Sequence, residues 1–180
     1  MRRIRMWAWF PSILFWVTSA LGDAPSRAAH AIPLFTIGKS QNRNQVQYAI
    51  HVDDRCVPTQ GSPIFAYWRM LELGPNQVAP LLSREIRAYG IATQSSTARS
   101  SVGGKVRLAL HAMPNRPILV ETFQESSGVC RAFATLAIGG KSAHLFDVYV
   151  KLNGPLGVDY LLLNGRSVDG TRVLNEKLGV

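Results

Sequence analysis

Apolar and polar residues alternate with a period of two along much of this chain, the signature of strands with one buried and one wet face. Val46, Tyr48, Ile50 and Val52 alternate with Gln47, Ala49 and His51. Val106, Leu108, Leu110 and Ala112 alternate with Lys105, Arg107, Ala109 and His111. Phe146, Val148, Val150 and Leu152 do the same against Leu145, Asp147, Tyr149 and Lys151. Each run predicts a strand, and each first-named set is expected to point inward. Further strands are expected at Ile64–Leu73, Pro117–Gln124, Cys130–Ile138 and Val158–Leu163. Turn residues separate them: Gly103-Gly104, Ser126-Ser127-Gly128, Gly139-Gly140, Asn153-Gly154-Pro155 and Asn164-Gly165. The short spacing of the later strands implies an antiparallel meander.

One stretch changes period. After the turn at Gly74-Pro75-Asn76, Pro80–Tyr89 places Leu82, Ile86 and Tyr89 on one helical face, with Gly90 where a C-terminal cap belongs. A short helix lying against or plugging the sheet is expected. The serine-rich stretch Thr93–Ser101 has the composition of an exposed loop or a poorly ordered edge. The fold class is mainly β: a single antiparallel β-barrel or β-sandwich of about 7–9 strands with one short helix, preceded by an N-terminal signal helix.

The start of the chain obeys different rules. Arg2, Arg3 and Arg5 precede an uncharged run, Met6 to Gly22, that holds three tryptophans and several aliphatic residues. A basic head and an apolar middle followed by small residues such as Ala20 and Gly22 is the pattern of a secretory signal peptide. The run falls short of the ~20 apolar residues of a spanning helix and contains Pro11, which favours cleavage over an uncleaved anchor. The expected organisation is a signal peptide over 1–22, a flexible linker over 23–31 and one β-rich domain over 32–180. The expected location is periplasmic or extracellular, with membrane attachment only through an uncleaved signal.

Composition adjusts this picture slightly. The chain has 180 residues, 47% hydrophobic and 17% charged, which suits a globular domain. Its net charge of +9 falls to +6 without the three signal arginines. The remaining Lys and Arg are scattered singly, so a nucleic-acid partner is not expected. Cys56 and Cys130 are the two cysteines. In an exported chain such a pair is expected to form a disulfide, the alternative being two buried thiols.

Four stretches support a resemblance. They are the run Pro33 to Tyr48 containing Ser40-Gln41-Asn42-Arg43-Asn44, the run Pro63 to Trp68, the triplet Ala88-Tyr89-Gly90, and the tail Val158 to Gly165 leading to Glu176. Together they resemble the domain-of-unknown-function family numbered 4833 over nearly the whole mature chain. The resemblance implies a single exported domain and brings no catalytic residues. Neither cysteine lies in these stretches, so it does not speak for the bridge.

The search for chemistry mostly eliminates. Gly38-Lys39-Ser40 and Gly140-Lys141-Ser142 imitate the end of a phosphate-binding loop, but its first glycine is Pro33 in one case and Thr135 in the other. His51, Asp53 and Asp54 supply potential metal ligands, though in a loop such residues more often serve as solvated turn groups. No Gly-x-Ser-x-Gly elbow is present. No metal and no cofactor are expected. Ser40, Asn42 and Asn44 would point the same way if their segment were extended, although Ser and Asn also bond their own backbone in turns. Tyr67 and Trp68 face opposite sides of a strand, so at least one is core. A candidate ligand site is therefore Ser40, Asn42 and Asn44 with Tyr67, Arg69 and Tyr89. Two functions follow: a noncatalytic module binding a small or acyl-like ligand or an envelope component, or a hydrolase with a spatially assembled Ser/His/acid site. An interior cavity lined by Val106, Leu108, Leu110, Phe146 and Val148 would favour a carrier, whereas a dry core there leaves a surface role.

Overall fold

A computed structural model describes residues 29–154 and 157–179. The signal peptide over 1–22 and its helix lie outside the described residues. Eleven strands and one helix follow in the order β1 (His30–Lys39), β2 (Asn42–Val52), β3 (Ile64–Arg69), β4 (Val78–Pro80), α1 (Ser83–Tyr89), β5 (Ile91–Arg99), β6 (Gly104–Leu110), β7 (Met113–Gln124), β8 (Cys130–Ile138), β9 (Lys141–Asn153), β10 (Gly157–Ser167) and β11 (Val173–Gly179). β1 begins at His30, so the strand takes in the last two residues of the linker expected over 23–31.

All eleven strands belong to one sheet, more than the 7–9 expected, in the order β4-β3-β2-β1-β9-β8-β7-β6-β5, with β10 on the other edge of β9 and β11 beyond it. The later part is the expected antiparallel meander, β5 through β11. The sheet as a whole is mixed, because β1 pairs with β9 in parallel from Thr36↔Asp147 to Lys39↔Val150. A parallel neighbour distant in sequence leaves no turn signal, so local pattern could not announce it. The β8–β9 hairpin turns at Gly139 and Gly140, both at positive φ (58° and 76°), which only glycine adopts without strain. β4 ends in Pro80, which lacks an N–H for a further strand and suits the edge it occupies.

Backbone pairing does not close the sheet into a barrel. Its two margins meet through a side chain instead. Gln94 on β5 accepts from the Ile64 N–H at 2.9 Å and donates to the Ile64 carbonyl at 3.1 Å, so one amide takes the place of a neighbouring strand's backbone for β3. At the far end of β2, Cys56 and Cys130 form a disulfide with Cα atoms 5.3 Å apart. Beside it the Gly103 N–H donates to the Arg55 carbonyl at 2.9 Å. These links join the β2–β3 loop to the starts of β6 and β8.

The inward rows fill the interior with one continuous apolar cluster. Val46, Ile50, Val106, Leu108 and Leu110 are fully buried, and Phe35 stacks on Tyr48 at 4.4 Å. Phe146 departs from its expected inward position and is 47% exposed. The register explains why: Asp147 faces Asn164 and Leu145 faces Gly165, so Phe146 is an extra residue in a β-bulge. The bulge reverses the phase, making Leu145 inward before it and Val148 inward after it. Thr93–Ser101, expected as a loop or poor edge, largely forms edge strand β5. The helix lies against the sheet, the first of the two placements expected. It has no buried residue, and Leu82 and Ile86 are 54% and 45% exposed, so α1 covers one end of the sheet without plugging it. Gly90 follows the helix with φ −74°, not as a left-handed cap. A Cβ there would come within 2.2 Å of the Ile86 carbonyl oxygen, which is why glycine stands at this position.

Candidate functional site

The six residues expected to form one site divide between the two faces of the sheet. Val46 lies opposite Trp68, while Gln45 and Gln47 lie opposite Arg69 and Tyr67. Trp68 therefore points inward, and Tyr67 and Arg69 point outward. Tyr67 continues an outer ladder in which His51 stacks on Phe65 at 4.2 Å and Phe65 on Tyr67 at 5.9 Å. Tyr89 is on the inner side, edge-on to Trp68 at 5.5 Å. The expected grouping of Tyr67, Arg69 and Tyr89 is thus split by strand alternation.

Within the polar triplet Ser40 stands apart from Asn42 and Asn44. Ser40 and Gln41 form the two-residue turn between β1 and β2, so the segment is not extended through Ser40. Ser40 Oγ accepts from the Leu152 N–H at 3.1 Å. Asn42 Oδ1 accepts from the Asn44 N–H at 3.2 Å, and both residues line a second groove of about 350 Å³ with Lys39, Arg43 and Tyr149. Asn44 alone of the three faces inward and is buried. Its Oδ1 accepts from the Glu72 N–H at 3.1 Å and fastens the turn after β3.

A different set assembles around Asn44. At this end of the sheet the inward rows change from apolar to polar, with Lys39 after Phe35 and Ile37 on β1 and Asn44 before Val46 on β2. Lys39, Asn44 and Glu85 rim a groove of about 280 Å³ whose walls are Trp68, Met70, Ala79, Pro80 and Leu82. Lys39 Nζ lies over the Trp68 ring, 4.9 Å from its centre, a cation–π contact. Glu85 comes from the first turn of α1. Its Oε2 accepts from the Trp68 indole N–H at 2.9 Å and the Leu82 N–H at 2.8 Å, so two donors already share that oxygen. Behind the indole, Tyr48 donates to the Tyr89 carbonyl. Burial pushes the Tyr48 phenol far above its ordinary range, with the neighbouring Tyr89 adding to the effect. Burial first and then the Glu85 carboxylate raise Tyr89. Both phenols stay protonated and neutral across the physiological range.

Lys39 makes no ion pair among the described residues, so the groove offers one ammonium without a carboxylate partner over an apolar floor. The false phosphate-loop match had drawn attention to Gly38-Lys39-Ser40 for the wrong chemistry. Glu85 and Trp68 were beyond sequence reasoning as groove residues, because their meeting depends on where α1 lies. The period-two parity of Trp68 and Asn44 was the signal that could have joined those two.

The family model described as Domain of unknown function (DUF4833) matches residues 35–177. The chain belongs to that family. No curated protein and no solved structure matches it. Within this DUF4833 domain the other expected chemistry disperses. Asp53 Oδ1 accepts from the Arg55 and Val57 N–H groups, Asp54 pairs with His30 at 3.0 Å, and His51 is stacked on Phe65. Among the described residues the hydroxyl that meets an imidazole is that of Thr135, 3.0 Å from His144 Nδ1, on an outer face. No helix of the described residues is long and apolar enough to cross a membrane.

Proposed function

We propose that this DUF4833 domain is exported by the secretory route and works in the periplasm or outside the cell as a noncatalytic binding module. Its ligand is a small or acyl-like molecule, free or as the end of an envelope component, with an apolar body and an anionic head. The body lies against Met70, Ala79, Pro80 and Leu82, and the head meets Lys39 and the Asn44 amide. The observation that carries this reading is Lys39: an ammonium held over an indole, with no ion pair among the described residues, at the rim of an apolar groove. Val106, Leu108, Leu110 and Val148 are at most 1% exposed, so they pack a core instead of lining a carrier cavity. That moves the ligand from the interior to the mouth. A volume of about 280 Å³ lies at the small end of ligand pockets, which suits a short chain end rather than a whole lipid. The disulfide supports an oxidising compartment.

Native mass spectrometry of the disulfide-intact protein purified from its own host tests the proposal. The expected result is an added mass that organic solvent strips and that Lys39→Glu abolishes. Protein that carries no added mass, or a Lys39→Glu variant loaded as fully as the wild type, would overturn it.

A further inference from the structure

Lys39 and Asn44, which rim the apolar groove, also line the second groove of about 350 Å³. The two depressions therefore meet at the same ammonium and the same amide. Their linings differ. Met70, Ala79, Pro80 and Leu82 wall the first, whereas Asn42, Arg43, Gln45, Asp147 and Tyr149 bring polar groups to the second. Strand alternation makes the difference: Asn44 turns inward and is buried, so its neighbour Arg43 is left exposed on the other side of β2.

The charges at this junction are committed unevenly. Neither Lys39 nor Arg43 makes an ion pair among the described residues. Arg43 meets Glu72 through its backbone N–H, which donates to Oε1 at 3.3 Å, and among the described residues its guanidinium donates to no protein group. The nearby carboxylates hold neutral donors instead. Asp147 Oδ1 accepts from the Thr36 hydroxyl at 2.9 Å and its Oδ2 from the Asn164 amide at 3.0 Å. Glu85 Oε2 accepts from Trp68 and Leu82. The amide oxygens of Asn42 and Asn44 are taken by the Asn44 and Glu72 N–H groups, so what these two side chains have left to offer is N–H. A junction of N–H donors and two uncommitted cations calls for a ligand end rich in acceptor oxygens and negative charge. A carboxylate brings one charge and two oxygens. A phosphate monoester brings up to about two charges and three terminal oxygens near neutral pH, and a guanidinium holds it through two parallel bonds.

Resting on the function proposed above for the apolar groove, we infer that the anionic head of its ligand is a phosphate monoester, seated between Lys39 and Arg43 where the two grooves meet while the apolar body lies on Met70, Ala79, Pro80 and Leu82. Isothermal titration of the full, disulfide-bonded protein with octyl phosphate, octanoate and inorganic phosphate tests it. Octyl phosphate is expected to bind about tenfold more tightly than octanoate, the scale of one added charge-assisted contact, and inorganic phosphate more weakly than either. Arg43→Ala erases the preference for phosphate over carboxylate. Arg43 is exposed, so this variant keeps its thermal midpoint, which shows it folded. Arg131→Ala removes a charge elsewhere, from the pair with Glu125, and keeps the preference. Octanoate binding as tightly as octyl phosphate, or a preference that survives Arg43→Ala or is lost equally in Arg131→Ala, would overturn the inference and leave the groove reading standing. Inorganic phosphate binding as tightly as octyl phosphate would also overturn it, making free phosphate the ligand. Binding of neither octyl phosphate nor octanoate would overturn the groove reading and the phosphate head with it.

Discussion

The two ends of β2 are built from the same alternation and finished in opposite ways. At the Val52 end the inward row stays apolar and the neighbouring loop is fastened, by the Cys56–Cys130 bond and by the Gly103–Arg55 backbone contact. At the Asn42 end the inward row turns polar at Asn44, and Lys39 and Trp68 stand open to the groove. A half-closed sheet must satisfy its margins somewhere. This one ties one end covalently and leaves the Lys39 ammonium at the other without an ion pair among the described residues, which is why the groove and not the clasp is the candidate site.

If the clasp seals one end, cutting it should be the largest change. The bridge spans 74 residues of sequence, and removing it with Cys56→Ala/Cys130→Ala is expected to lower stability by about 4 kcal/mol on the chain-entropy argument. Denaturant titration of oxidised and double-variant protein measures this, and a difference below about 1 kcal/mol would mean that the backbone alone holds that end. Cys56 is also the one non-glycine residue at positive φ, 62°, among the described residues.

The seam between β3 and β5 comes next. Gln94→Ala leaves the N–H and carbonyl of buried Ile64 without their side-chain partner and is expected to cost about 2 kcal/mol. Amide exchange at Ile64 should accelerate in the variant, and unchanged exchange would show that Gln94 does not close the seam.

A smaller effect is expected at Glu176, the tail residue that ties β11 to Arg116 on β7 and to the β8–β9 turn. Its carboxylate meets both terminal nitrogens of Arg116, at 2.8 and 2.6 Å, and the Gly139 N–H at 2.9 Å. The Arg116 hydrogen bonds, then the Gly139 N–H, hold Glu176 below its ordinary 4.5. A carboxylate with a depressed folded pKa stabilises fully above its unfolded value, so the contribution is present above about pH 4.5 and fades as pH falls toward the folded value. Glu176→Gln is expected to cost about 1 kcal/mol or less at pH 7, and the gap to wild type should close in acid. Melting curves at pH 7 and pH 3 check the sign, and a gap that widens in acid would refute it. Lys39→Ala should be the smallest, within about 0.5 kcal/mol of wild type, since a rim charge is not part of the core.

Much of the fold was legible because half-buried strands reveal themselves by parity. The inward residues read from β2 and β6, Val46 through Val52 and Val106 through Leu110, are buried as expected, whereas Ala112 of the same set lies exposed in the turn after β6. Parity fails where an extra residue enters. The bulge at Phe146 follows from pairing with β10 and has no local signal. Edge strands were harder still: β5 is polar serine and threonine, and β11 shows only weak alternation in a tail with little burial. Of the expected site residues, Asn44 lines the groove, while Tyr67 and Arg69 lie on the other face of β3 by their parity. The register Val46↔Trp68 that corrects them is a long-range fact. The disulfide was inferred from compartment and count, and the backbone brings its two residues together.

In the proposed function the interior is filled and the ligand end of the molecule is the mouth at Trp68, the one tryptophan among the described residues. Titrating the isotope-labelled, disulfide-bonded domain with octanoate while recording amide and indole N–H resonances tests it most directly. The predicted shifts fall on Lys39, Asn44, Met70 and the Trp68 indole, and leave Val106, Leu108 and Leu110 unmoved. Shifts centred on those three core residues, with the Trp68 indole unchanged, would contradict it.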